Sequence, residues 1–227
     1  PGDHVVEVGP GVGSLTVQLA AAGARILAVE LDKRLAPVVA EVVPSAEVVQ
    51  ADAMDADWGA LLAGANRWVM VSNLPYNVAT PVVVRALETA PMIDRFLVMV
   101  QREVGERLAS GVGDAQYGAV SVKIAYYADA RVVGLVPPTV FMPRPNVDSA
   151  LVRLVRRPPP VVVADPEWLF QLVRAGFATR RKTLRNALAT VLGDHTVPAL
   201  EAAGIDPRAR AETLGLPEWA ALAETAR

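Results

Sequence analysis

Val5-Val6-Glu7-Val8-Gly9-Pro10-Gly11-Val12-Gly13 opens the chain with a short apolar run followed by three glycines in five positions. The run reads as a buried strand and the glycines as a turn, after which Leu15, Leu19 and Ala22 recur at helical spacing. Strand, glycine turn and helix form the first part of a βαβ unit. The glycines let the backbone come close to a ligand, and the helix amino end offers unpaired N–H groups to it. A second strand, residues 25–29, ends at Glu30, roughly twenty residues on, where an acid meets ribose hydroxyls in nucleotide-binding units of this kind. A third strand, residues 47–50, runs into Ala51-Asp52-Ala53-Met54. Asp52 there either accepts from the N6 amine of an adenine ring or caps the next turn. Glu30 and Asp52 end consecutive strands on one edge, so a single adenosine can bridge them. The unit reads as a site for an adenosine-type cofactor, with the identity of that cofactor open and a purely structural glycine turn as the alternative.

A fourth apolar run, Trp68-Val69-Met70-Val71, delivers Asn73-Leu74-Pro75-Tyr76 to the carboxyl end of a buried strand, where open α/β sheets bind ligands. The exocyclic amine of a base is a poor nucleophile while its lone pair is delocalised into the ring. Two acceptors aimed at its hydrogens undo that delocalisation. The Asn73 side-chain oxygen and the Leu74 carbonyl supply two acceptors, with Pro75 fixing the turn that aims the carbonyl outward. Tyr76 is placed to stack on a flipped ring. A plain Pro-Tyr turn closing a strand is the competing reading.

With 227 residues, 52% of them hydrophobic, the chain is long enough for one large domain or a domain with an appendage. It has no cysteine, which excludes a disulfide framework and thiolate chemistry, and its two histidines, His4 and His195, are too far apart in sequence to suggest zinc. No apolar run approaches the roughly 18–20 residues of a membrane span, and no signal peptide is visible, so a cytoplasmic protein with no membrane partner is expected. The chain starts at Pro1 just ahead of a strand, without Met, and is read as lacking an amino-terminal segment. Net charge is −2, yet residues 1–100 carry six Lys or Arg against eleven Asp or Glu, whereas residues 144–185 carry nine against three. That imbalance points to a polyanion contact in the second half, against the alternative of an ordinary solvated surface.

Further along, Thr80-Pro81 opens a helix, residues 96–100 form a strand, and residues 101–108 leave it as a polar helix with i,i+4 charge pairing. Residues 110–117 read as a glycine-rich lip and residues 118–128 as a helix. A strand at 131–135 and a last one at 147–155 are expected to pair antiparallel. Between them lies Phe141-Met142-Pro143-Arg144-Pro145-Asn146-Val147-Asp148-Ser149, whose Phe141 either walls a base pocket opposite Tyr76 or anchors the loop in the core. Arg156-Arg157-Pro158-Pro159-Pro160 breaks periodicity as a stiff linker. Beyond it the chain is helical, and the basic stretch Thr179-Arg180-Arg181-Lys182-Thr183-Leu184-Arg185-Asn186 carries Leu184, Leu188 and Val191 on an apolar face. Arg181 there is either an RNA contact or an ion-pair partner inside the bundle.

Six motifs in order, Glu7-Val8-Gly9-Pro10-Gly11, Glu30-Leu31-Asp32, Asp52-Ala53-Met54, Asn73-Leu74-Pro75-Tyr76-Asn77, the Phe141–Ser149 loop and Arg181-Lys182-Thr183-Leu184-Arg185-Asn186, closely resemble the ribosomal-RNA small-subunit adenine N6,N6-dimethyltransferase family. The resemblance implies an α/β fold: a Rossmann-like class I methyltransferase domain over residues 1–157 with a seven-stranded sheet, its last strand antiparallel. A Pro-rich linker at 158–164 and a small C-terminal helical RNA-binding domain at 165–227 would follow. It further implies S-adenosyl-L-methionine as cofactor, held by Gly9, Gly11, Glu30, Leu31, Asp52, Ala53 and Asn73. Asn73, Leu74, Pro75, Tyr76 and Phe141 would form the catalytic site, and Arg144, Arg180, Arg181, Lys182 and Arg185 would contact RNA. The implied substrate is a pair of adjacent adenosines in the 3′-terminal hairpin of small-subunit rRNA, within an immature small subunit, modified without a metal by a monomer. Family members have an amino-terminal segment that contributes to both sites, so a protein limited to these residues is expected to bind the cofactor weakly. Three other readings are a nicotinamide oxidoreductase, which leaves residues 73–76 without a role, a large-subunit rRNA dimethyltransferase, and a non-catalytic ribosome-assembly factor.

Overall fold

The computed structural model describes residues 2–142, 144–179 and 181–227. Its chain divides into two compact units, Pro1–Glu106 with Asp129–Arg157, and Arg107–Ala128 with Pro158–Arg227. In the first, strands and helices alternate: β1 (His4–Val8), α1 (Ser14–Ala21), β2 (Arg25–Glu30), α2 (Leu35–Val42), β3 (Glu47–Gln50), α3 (Trp58–Leu61), β4 (Trp68–Asn73), α4 (Ala79–Thr89), β5 (Ile93–Gln101) and the start of α5 (Arg102–Ala109). Strands β6 (Ala128–Val136) and β7 (Ser149–Arg156) complete a seven-stranded sheet in the order β3-β2-β1-β4-β5-β7-β6.

β1 pairs in parallel with both β2 and β4, so the chain walks outward through β2 and β3 and then returns to the other side of β1. This reversal opens a crevice between the carboxyl ends of β1 and β4, the position at which open α/β sheets take ligands. The sheet is α/β as expected. The last strand, β7, lies between β5 and β6 and is hydrogen-bonded to both: the expected neighbour β6 is on one side, and on the other β7 pairs antiparallel with β5, with Gln101 opposite Ser149 and Arg95 opposite Val155. The faces explain it. Phe96, Val98 and Val100 on β5 stand opposite Leu154, Val152 and Ala150 on β7, and all six are buried. A β-carbon at Gly105 of α5 would lie 2.8 Å from the Ala150 β-carbon, so this helix packs on β7 at a spacing only glycine permits. Across the sheet, Ile26, Ala28 and Val39 form a smaller cluster with residues from α1 and α2.

Arg156, read from sequence as the start of a linker, is the last residue of β7. Its guanidinium donates to the carbonyls of Ile93, Leu87, Ala86 and Ala90, satisfying the carboxyl end of α4.

The second unit contains the end of α5 and helices α6 (Ala119–Tyr127), α7 (Pro166–Phe177), α8 (Leu184–Leu192), α9 (Thr196–Ala202) and α10 (Leu216–Thr225). It takes in residues 107–128, which the sequence reading had assigned to the sheet domain. The cause is apolar: Tyr117, Val122 and Tyr126 are buried in the same core as Phe170, Leu188 and Trp219, the Tyr126 ring meets Phe170 edge-on at 5.3 Å, and the Tyr117 hydroxyl donates to the Leu214 carbonyl at 2.9 Å. The expected linker is docked on the helices as well, since Val163 is buried in that core and the Ala164 N–H donates to Glu224. α7 starts on a strong signal, Asp165 accepting from the Glu167 and Trp168 amides with Pro166 in the first turn.

Candidate functional site

Two loops meet at the reversal of strand order. The Val8 amide at the end of β1 donates to the Ser72 hydroxyl on β4 at 2.9 Å, both groups being buried, which ties the two strand ends together. Gly9 follows with φ +70°, and a β-carbon there would come within 3.3 Å of the Pro75 ring. The glycine loop and the Asn73 turn therefore approach so closely that a side chain at Gly9, already disfavoured by the positive φ, would crowd the Pro75 ring. Gly11 also has positive φ, and its missing β-carbon faces open space, where a ligand can come up against the backbone.

Glu30 closes the other side of this loop. Its carboxylate accepts from the Gly11 amide at 3.1 Å and from the Asp32 amide at 2.9 Å, one bond to each oxygen, and the residue is 6% exposed. A carboxylate offers about four acceptor positions, so two remain for ribose hydroxyls. Asp52 stands beyond the adjacent strand, β3, and one of its oxygens accepts from the Met54 amide at 2.8 Å. It caps a turn, as one of the two readings had it, and its second oxygen is the one left for an adenine amine. Ala53 is buried next to it, while Leu31 is 63% exposed, an apolar surface beside the Glu30 carboxylate of the kind a purine covers.

Glu7 was quoted in the opening motif without a role. It is 1% exposed, accepts a 2.7 Å hydrogen bond from the Thr16 hydroxyl of α1, and its pKa is raised from 4.5 to about 7. Burial is the main cause; repulsion from Glu30 adds to it and the Thr16 bond opposes it. The signal was available, as a lone acid within the apolar strand Val5-Val6-Glu7-Val8.

Asn73 ends β4 opposite Met99 of β5 and is exposed. Leu74 donates its amide to the Met99 carbonyl and buries its side chain at 1% exposure, so the turn is anchored by an apolar side chain below and its backbone is left at the surface of the site. The turn that follows is closed by the Val78 amide on the Pro75 carbonyl, not on that of Leu74. Asn73, Leu74, Pro75, Tyr76, Phe141 and Pro145 line a cavity of about 240 Å³. This is below the roughly 300–1,000 Å³ of ordinary small-molecule pockets, a size suited to one planar ring. Phe141 is half-buried and lines this cavity together with Tyr76.

Among the cations, Arg144 is exposed next to Pro145 of the cavity wall. Arg181, Lys182 and Arg185 are all exposed, so Arg181 is not an ion-pair partner inside the helical core. Arg180, Pro143 and Pro1 lie outside the described residues. The basic stretch is not one continuous helix: α8 begins at Leu184, and the amides of Leu184 and Arg185 donate to the Ala209 and Pro207 carbonyls. Three cations thus gather about the amino end of α8, where the helix dipole opposes them, an arrangement that an anionic ligand relieves.

The family model for ribosomal RNA adenine dimethylase matches residues 1–227. A ribosomal RNA small subunit methyltransferase A of Thermobifida fusca is 49% identical over 99% of this chain and 80% of its own length. One of Geobacillus thermodenitrificans is 44% identical over 96% and 79%. Among solved structures, a dimethyladenosine transferase from Plasmodium falciparum has the same fold, with a TM-score of 0.77 at 23% identity over 97% of this chain and 88% of that one. The 23S rRNA methyltransferase ErmE superposes with a TM-score of 0.69 at 27% identity, over 99% and 91%.

Proposed function

The chain belongs to the ribosomal RNA adenine dimethylase family, and from that premise we propose that it transfers methyl groups from S-adenosyl-L-methionine to the N6 amines of two adjacent adenosines in the 3′-terminal hairpin of small-subunit rRNA. The substrate is rRNA within an immature small subunit, and the place of action is the cytoplasm. The observation that carries the reading is the close approach of the Gly9 backbone to Pro75, where an added β-carbon would lie 3.3 Å from the ring, which sets a nucleotide-type glycine loop beside a ring-sized cavity edged by Asn73.

The residues present fit the cofactor. Gly9 and Gly11 give it a bare backbone, Glu30 retains acceptor capacity for the ribose, Asp52 retains an oxygen for the adenine amine backed by Ala53, and Leu31 offers an apolar surface. When bound, S-adenosylmethionine supplies an electrophilic methyl group on its sulfonium. The chain's part is positioning and electrostatics. The Asn73 side-chain oxygen and the Leu74 carbonyl accept from the two N6 hydrogens before the first transfer and from the one that remains before the second, drawing the nitrogen toward a tetrahedral, nucleophilic geometry; each transfer breaks the sulfonium–methyl bond, forms the N6–methyl bond and releases one N6 proton to solvent. Tyr76 and Phe141 hold the flipped ring between them. Arg144, Arg180, Arg181, Lys182 and Arg185 meet the phosphates.

The small-subunit relatives at 44–49% identity favour this substrate over the large-subunit alternative, to which the resemblance is 27%. The test uses the protein, labelled methyl donor and immature small subunits, followed by mapping of modified nucleotides. Two adjacent N6,N6-dimethyladenosines near the 3′ end are the expected product at saturating methyl donor; label in large-subunit rRNA, or at other nucleotides of the small-subunit rRNA, overturns the reading.

A further inference from the structure

We propose that Ser149 is a positioning residue that locks the base-stacking wall of the site, acting through Tyr76; the inference rests on the methyltransferase reading given above. The Tyr76 hydroxyl and the Ser149 Oγ are 2.8 Å apart although the residues are 73 positions apart in sequence. Ser149 is fully buried, at 0% exposure, as the first residue of β7, held in register opposite Gln101 at the end of β5. Its main chain therefore cannot move without breaking the β5–β7 ladder. Among the described residues, Tyr76 is the partner of this hydroxyl.

The location matters for the chemistry. Tyr76 is half-buried on a turn whose own backbone is held at Leu74, two residues earlier, and at Val78, two residues later. A ring attached to such a turn keeps freedom about its side-chain torsions unless its far end is tied. Ser149 ties it. The same residue terminates the loop that begins at Phe141, so a single hydroxyl pair joins the two walls of the cavity, Tyr76 on one side and the Phe141 loop on the other. A flat adenine slots between rings only while their separation is kept. Angular slack in one wall lets the N6 amine drift from Asn73 and lowers the fraction of bound substrate in reactive geometry. Burial adds to the effect: with Tyr76 turned away, the Ser149 hydroxyl would be left without a partner in the core, which penalises that orientation.

Ser149→Ala and Tyr76→Phe remove the bond from either end without changing ring or backbone. In single-turnover methylation of small-subunit rRNA, each is expected to slow transfer about fivefold, and the double variant to be no slower than either alone, as for one shared interaction. Cofactor affinity stays unchanged. A second measurement needs no substrate. The chain has four tyrosines, so labelling with 3-fluorotyrosine yields four fluorine resonances, and the one lost in Tyr76→Phe identifies Tyr76. Ser149→Ala is expected to shift or broaden that line and leave the other three in place, which a general loosening of the fold would not do. An unmoved Tyr76 line, or rate losses that multiply in the double variant, overturns the proposal. Should Ser149→Ala not fold, Tyr76→Phe alone decides it, since an undiminished rate in that variant leaves the bond without a role. Lack of rRNA methylation by the unaltered protein, by contrast, counts against the function proposed above and leaves the fluorine result to judge the clamp.

Discussion

Asn73 stands exposed at the carboxyl end of β4, while Glu7, on the neighbouring strand, is 1% exposed. The difference in burial gives two polar residues opposite uses. Asn73 is open to solvent at the cavity edge, and under the proposed function Asn73→Ala is expected to slow single-turnover methyl transfer about a hundredfold or more, as loss of a preorganised polar partner does elsewhere, with the cofactor dissociation constant almost unmoved. Glu7 acts on stability. Its folded pKa of about 7 exceeds the ordinary 4.5, so between those values the folded state holds a proton that the unfolded chain has released. The contribution is therefore fully present below pH 4.5 and lost as pH rises through about 7. Glu7→Gln keeps an acceptor for Thr16 and removes the titration. Chemical denaturation should find the two proteins alike near about pH 4 and the variant more stable by about 1–3 kcal/mol near about pH 8.

One side chain of β7, Arg156, holds the carboxyl end of α4 and the start of β5 through four carbonyls. Arg156 spans Ala86, Leu87, Ala90 and Ile93 because a guanidinium presents five donors in a fixed plane. Arg156→Ala removes all four bonds at once, although Ala86 and Ala90 keep backbone partners, and a loss of about 1–3 kcal/mol is expected by denaturant titration. Arg156→Lys should recover only part of it, since an ammonium has three donors around a point and cannot reach four dispersed acceptors. At the amino end of α8 the logic is electrostatic. Replacing Arg181 and Arg185 with glutamine removes two exposed cations at the positive end of the helix dipole. Thermal stability should be unchanged or slightly raised, and a marked fall would show that one of them is a structural partner.

RNA binding is a property of the whole chain, because affinity for a polyanion sums phosphate contacts from residues far apart in sequence. With Arg181 and Arg185 replaced, the logarithm of rRNA affinity should fall less steeply with the logarithm of salt concentration, the slope flattening by roughly one to two, and cofactor binding should be spared. An unchanged slope would remove these residues from the interface. What the sequence determined by itself was local: strand and helix type from apolar periodicity, the glycine loop after β1, the acid ending β2, and the Asn73 turn after β4. Each of these depends on chemistry within a few residues, so a short window contains the whole signal. Their order along the chain sufficed to place the Gly9 loop and the Asn73 turn at strand carboxyl ends, and so to anticipate a shared site. The tertiary structure decided what depends on matching faces across long separations. β7 pairs with β5 because three apolar residues on each strand meet in register. Residues 107–128 join the helical unit because Tyr117, Val122 and Tyr126 bury in its core. Arg156 became a helix cap and Ser149 the partner of Tyr76 only once strands brought them there. A polar side chain has the same sequence signature whether its partner is water, a backbone carbonyl or a tyrosine hydroxyl, and only the packing of distant segments selects among them.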